Sequence, residues 1–150
     1  MSKFLRYWLP VLAWAALISF FSTDTFHGDR TRGIVRSVLL LFLPDLNPET
    51  VELVHAVVRK LAHMAEYCIF TLILYRGFRQ NAPNGRRWRW ALPALLVAVG
   101  FAGVDEFHQT FEPRRTGSII DVSIDAMGVL IAQVVLVWHL RCRNVEQFRR

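Results

Sequence analysis

Apolar residues occur in four long runs, which polar segments separate. The runs cover about residues 4–21, 61–75, 90–104 and 119–140. With their flanking residues they are long enough for helices that cross a hydrocarbon core, which takes about 20 residues. A fifth apolar segment, residues 34–43, is too short to cross and is followed by Pro44. The pattern predicts an all-α fold, a four-helix transmembrane bundle with a short interfacial or re-entrant helix in the first outer loop.

Local sequence features refine these elements. Asn47 and Pro48 are typical of an N-cap and a first turn, so we expect a helix from about residue 48 to 78. No small-residue cleavage pattern follows the first run, which we interpret as an uncleaved helix. Gly128 favours close helix approach, and so does the segment from Gly100 to Gly103. We expect Ser22 to bond locally within its own helix.

Basic residues predict the orientation of the bundle. Residues 76–89 include five arginines and no acid, and both termini are also basic. Because cytoplasmic loops are rich in Lys and Arg, the pattern places the N- and C-termini in the cytoplasm. The net charge of +6 does not indicate nucleic-acid binding, since the arginines cluster at the ends of apolar runs. The 150 residues fit one integral membrane domain, and Cys68 and Cys142 suggest neither a disulfide nor a metal site.

Polar residues occur where the runs approach the outer side. At 1.5 Å per residue, several of them lie about 20–26 Å above the cytoplasmic ends of their helices. Each charge at bilayer depth costs about 2.5–3.5 kcal/mol on insertion scales, so such residues usually serve a function. The sequence therefore predicts one outward-facing polar pocket, whose ligand-binding candidates are Arg59, Lys60, His63, Glu66, Tyr67, Asp105, Glu106, His108, Gln109, Arg115, Ser118, Asp121 and Asp125.

Some of these residues also have a purely structural interpretation. Arg59 and Lys60 could extend to the outer interface, as long basic side chains do. Ser118 and Asp121 have the spacing of a capping box, which would account for Asp121 without a ligand.

Two motifs resemble the VanZ-like family. They are Arg59-Lys60-x-x-His63-x-x-Glu66-Tyr67 and Asp105-Glu106-x-His108-Gln109-x-Phe111-x-Pro113-x-Arg115-x-Gly117-Ser118-x-x-Asp121-x-x-x-Asp125-x-x-Gly128. Arg114 and Asp125 differ from the usual glycine and asparagine. The resemblance implies a small multi-pass protein of the bacterial cytoplasmic (inner) membrane, connected with the cell envelope and, in one member, with resistance to the antibiotic teicoplanin. It implies no particular reaction.

Several functions remain open. In the first, the pocket binds an anionic or polyol headgroup of a membrane lipid or lipid-linked envelope precursor. Arg59 and Arg115 would then hold phosphate, while Tyr67 and Gln109 orient the ligand. In the second, His63 or His108 supports a metal- or acid/base-dependent hydrolase or transferase acting on a lipid-linked phosphate. A transport path and a purely structural core of paired charges are further alternatives. The sequence predicts no cofactor, metal or nucleic-acid partner, and it leaves catalytic residues and oligomeric state open.

Overall fold

The computed structural model describes residues 2–22, 28–43, 46–80, 88–111 and 118–148, with side chains omitted for residues 28–31 and 143–148. Within these ranges the chain forms six helices and no strand, so the all-α prediction is confirmed. The helices are α1 (Lys3–Tyr7), α2 (Leu9–Phe21), α3 (Gly28–Phe42), α4 (Pro48–Arg79), α5 (Ala91–Gln109) and α6 (Ile119–Phe148).

The N-terminal run differs from its prediction. It forms two helices, α1 and α2, that meet at Trp8. Pro10 explains the break, because it stands in the first turn of α2 and has no N–H to continue the ladder from α1. The next helix, α3, has 15 residues and begins earlier than expected.

The long helix α4 begins and ends almost where the sequence predicts. The Asn47 side chain accepts a hydrogen bond of 2.8 Å from the backbone N–H of Glu49, so it caps the helix as expected. Arg76 and Arg79 lie in the last turn of α4, which therefore includes the first part of the predicted inner loop. Residues 81–87 of that loop lie outside the described ranges.

Helices α2, α4, α5 and α6 share one apolar core. Ala94, Ala98 and Ala102 recur every fourth residue on α5 and are fully buried, so small side chains let the neighbouring helices come close. Phe70 and Leu74 of α4 fill the space beside them. Helix α4 packs against α6, α5, α3 and α2, and it is therefore the central element of the fold.

Glycine has different roles in the two C-terminal helices. A Cβ built on Gly128 would lie 2.9 Å from the carbonyl carbon of Met64, so the backbones of α4 and α6 touch there, as the sequence predicts. Gly100 and Gly103 do not mark a close helix approach as expected, because a Cβ added to either would lie more than 4 Å from every neighbouring atom of the described residues. Ala102, between them, faces the core instead.

The outer surface of α5 and α6 is strongly apolar. Leu92, Leu96 and Val104 on α5 and Leu130 and Val134 on α6 are each more than half exposed. Soluble monomers rarely expose such continuous apolar surface. Among the described residues, Trp88–Gln109 and Ile119–Cys142 are long and apolar enough to cross a membrane. These features indicate a membrane protein, while the four-span bundle and its orientation stay predictions.

Candidate functional site

A buried hydrogen-bond network surrounds Asp105. Its Oδ2 accepts hydrogen bonds from Ser22 Oγ at 2.6 Å, Gln109 Nε2 at 3.3 Å and Tyr67 OH at 3.5 Å. All four side chains are buried, and they come from α4, α5 and the C-terminal cap of α2. The expectation for Ser22 is therefore wrong, since its hydroxyl bonds to another helix. These four residues, the Asp105 network, join three helices through neutral donors rather than through an ion pair.

A separate polar pocket lies between α4, α5 and α6. Its volume is about 440 Å³. The residues that line it are Glu52, His55, Ala56, Arg59, Lys60 and His63 of α4, Glu106 and Gln109 of α5, and Ser118, Ile120, Asp121, Ile124 and Asp125 at or near the start of α6. Gln109 belongs to both sites, because its amide bonds to Asp105 and Ser22 while the side chain forms part of the pocket wall.

Most of the predicted ligand-binding residues line this pocket. They are Arg59, Lys60, His63, Glu106, Gln109, Ser118, Asp121 and Asp125. Four others lie elsewhere: Tyr67 and Asp105 belong to the buried network, while the half-buried Glu66 and the exposed His108 do not line the wall. Arg115 lies outside the described residues.

Two polar lining residues were not among the predicted candidates. Glu52 and His55 precede Arg59 and His63 on the same face of α4. The spacing of four between residues 55, 59 and 63 identifies His55 as a member of that face. Glu52, three residues before His55, has the same helical spacing, so the pattern could have included it as well.

His63 and Asp125 meet across the contact between α4 and α6. His63 Nδ1 lies 3.7 Å from Asp125 Oδ1, and the aspartate side chain is almost fully buried. The Asp125 carboxyl group therefore faces the His63 imidazole. At this distance the two groups are neighbours without a direct hydrogen bond.

The start of α6 is held by Glu106 rather than by a capping box. The backbone N–H of Ser118 donates to Glu106 Oε1 at 2.7 Å, and Ser118 Oγ accepts from the N–H of Ile120 at 3.1 Å. In a capping box, Asp121 would accept from the Ser118 N–H. That donor is bonded to Glu106, so the Asp121 side chain is left to line the pocket.

The described residues offer no ready metal centre. Among them, no group of three or more His, Cys, Asp or Glu side chains is arranged to hold a metal ion. What the pocket does offer is a mixture of guanidinium, ammonium, imidazole and carboxyl groups. These groups bind polar, charged ligands through hydrogen bonds.

Comparison with known proteins identifies the family. The family model VanZ/LLP1 matches residues 7–140, which include all of α2 to α5, α6 as far as residue 140, and only the last residue of α1. Neither a curated protein nor a solved structure matches the chain. The matched range contains both polar motifs and every residue of the pocket. The chain therefore belongs to the VanZ/LLP1 family.

Proposed function

We propose that this VanZ-family protein crosses the bacterial cytoplasmic membrane with four helices and binds a lipid or envelope-precursor headgroup in its polar pocket. The pocket volume of about 440 Å³ supports this proposal. Small-molecule sites generally have volumes of about 300–1,000 Å³. The exposed apolar faces of α5 and α6 would place the pocket where lipid molecules reach it.

The observation on which the proposal rests is that Asp121 lines the pocket without capping its helix. A structural brace would use its polar groups to bond helices together, as the Asp105 network does. Asp121 instead faces a cavity that also contains Arg59 and Lys60. Ionisable residues around a cavity within a membrane protein usually mark a ligand or ion site.

The pocket residues suit different parts of a headgroup. Arg59 and Lys60 can bind phosphate oxygens, Arg59 with two parallel hydrogen bonds. Gln109 and Asp121 can bond to hydroxyl or amine groups. The phosphate contact proposed for Arg115 is based on the sequence alone. We extend the proposal to the cell envelope, where loss of binding would alter teicoplanin susceptibility in a strain that depends on this protein.

The proposal is tested by measuring lipid binding with the intact protein in detergent micelles. Native mass spectrometry would count retained phosphatidylglycerol and phosphatidylethanolamine molecules. We expect Arg59→Gln to weaken retention of both lipids about tenfold, the effect of losing one hydrogen bond between charged groups. Arg36→Gln is the matched control, because Arg36 is exposed on α3 and does not line the pocket. Equal retention by the two variants would contradict the proposal.

The His63–Asp125 pair supports an acid/base enzyme as a second candidate. An imidazole close to a carboxyl group can transfer protons during phosphoester hydrolysis or transfer. In vesicles of the same two lipids, an enzyme would release a phosphate-containing headgroup, and His63→Gln would stop the release while retaining lipid binding. A chelator would separate metal-dependent from metal-independent turnover. Unchanged lipid composition after prolonged incubation of the wild type would reject this candidate for these substrates.

A further inference from the structure

We infer that the polar pocket recognises a zwitterionic headgroup, in which a phosphate ester is joined to a primary amine, in preference to a purely anionic one. This inference rests on the proposed function and specifies the ligand chemistry of the same pocket. It follows from how the pocket's basic and acidic groups are distributed among the three helices, and from which acceptors remain available.

The basic and acidic groups come from different helices. Arg59 and Lys60 belong to the α4 wall, whereas Glu106, Asp121 and Asp125 belong to the α5 and α6 walls. A phosphate bound by the α4 wall would therefore have carboxyl groups within the same cavity. Like charges placed together disfavour binding, whereas a cationic group beside those carboxyl groups favours it. A ligand with charge of both signs matches this arrangement best.

The one acid on the α4 wall has a partner elsewhere. Glu52 Oε1 lies 3.0 Å from Nε of Arg32 on α3, at the exposed side of the pocket. This ion pair compensates the Glu52 charge without involving Arg59 or Lys60. The α4 wall therefore remains basic, and the separation of basic from acidic walls is preserved.

The α5 and α6 walls offer carboxyl oxygens that can accept hydrogen bonds from a ligand. Glu106 bonds to Ser118 through Oε1, and Asp121 is released from helix capping by that same bond. Asp125 Oδ1 is fully buried, so the acceptors that a ligand can reach on these walls come mainly from the half-buried Asp121. A primary ammonium group has three N–H donors, which these acceptors could receive.

The wall composition also distinguishes a primary amine from a quaternary one. Proteins bind quaternary ammonium groups with the faces of Trp, Tyr and Phe rings. None of these residue types lines the pocket within the described part of the chain. Its apolar lining comes from Ala56, Ile120 and Ile124, and Ile120 is also exposed beside the apolar surface of α6, where the glycerol and acyl parts of a lipid would continue.

The test compares three headgroups on the wild-type protein in micelles, by competition monitored with native mass spectrometry. We expect phosphatidylethanolamine to bind about tenfold more tightly than phosphatidylglycerol or phosphatidylcholine, because only it supplies ammonium N–H donors. Wild-type protein that binds phosphatidylglycerol as tightly as phosphatidylethanolamine would overturn the inference. Equal binding of phosphatidylcholine would overturn the primary-amine assignment.

Variants separate this inference from the proposed function. Asp121→Asn should abolish the preference for phosphatidylethanolamine over phosphatidylglycerol and leave phosphatidylglycerol binding nearly unchanged. The control is Glu49→Gln, which should keep the preference because Glu49 is exposed and lies outside the pocket. Arg59→Gln should weaken both lipids. Arg59-dependent binding without any preference refutes only the zwitterionic ligand, while binding independent of Arg59 refutes the headgroup pocket as well.

A soluble competitor identifies the source of the headgroup. Glycerophosphoethanolamine has the same phosphate and amine groups without acyl chains. Displacement at concentrations similar to those of the lipid would support recognition of a free zwitterion, and much weaker displacement would support recognition of the lipid itself. Failure of both the lipid and the soluble competitor to bind would overturn the inference.

Discussion

The contact at Gly128 provides a direct test of the packing between α4 and α6. The substitution Gly128→Ala adds one methyl group where a Cβ would lie 2.9 Å from the Met64 carbonyl carbon and 3.1 Å from its Cα. These neighbours are backbone atoms of α4, so no side-chain rotation can make room. The two helices would have to separate at their closest approach, which lies one turn below Asp125.

The expected loss of stability follows from two opposing effects. Overpacking a core typically costs about 1–3 kcal/mol, and the rigid backbone neighbour favours the upper end. Replacing Gly with Ala within a helix also stabilises the folded state by about 1 kcal/mol, because alanine has the higher helix propensity. The net loss is about 2 kcal/mol, which corresponds to a fall in Tm of about 4–8 °C for a chain of this size.

Thermal unfolding in detergent, followed by circular dichroism, would measure the change. Gly103→Ala is the matched control, because the added Cβ meets nothing within 4 Å and leaves only the propensity gain. Its Tm should stay equal to that of the wild type or rise slightly. A Gly128→Ala protein with a Tm at or above that of Gly103→Ala would refute the close approach of the two helices.

Two further predictions concern the buried network and the membrane topology. Ser22→Ala removes the donor that lies 2.6 Å from Asp105 Oδ2 and should lower stability by about 0.5–1.5 kcal/mol, the net contribution of a typical intramolecular hydrogen bond. Ser19→Ala, at an exposed position of α2, should leave the Tm unchanged. An equal Tm for both variants would contradict a stabilising network. Gly85→Cys, in the arginine-rich inner loop, should react with a membrane-impermeant thiol reagent only after the membrane is opened. Labelling in intact cells, compared with the unsubstituted protein, would reverse the predicted orientation.

The sequence alone determined the helical class and the starts of α4, α5 and α6, whereas α5 and α6 continue beyond the predicted apolar runs. Apolar runs and the Asn47–Pro48 start predict where α4, α5 and α6 lie, because helix formation depends on local propensity, capping and periodicity. Gly128 was also identified correctly, but the same argument failed for Gly100 and Gly103, so a glycine within an apolar run does not by itself identify a helix contact. The break at Trp8 was missed, although Pro10 was visible, because a proline in a first turn is compatible with either one helix or two.

The division of the polar residues into two sites was decided only by the tertiary structure. Helical spacing groups residues on one face of one helix, but it does not determine which face of the next helix they meet. Tyr67 and Asp105 have the same helical spacing as the pocket residues on their helices. Because α2 packs on α4, however, Ser22 lies beside them, and Ser22 and Tyr67 both donate to Asp105 in the buried Asp105 network. Asp121 has the spacing expected for a capping box. In the folded chain Glu106 lies beside the Ser118 N–H and accepts its hydrogen bond in place of Asp121. Hydrogen-bond partners between helices depend on rotation and depth in three dimensions, and these are fixed by side-chain packing over the whole core.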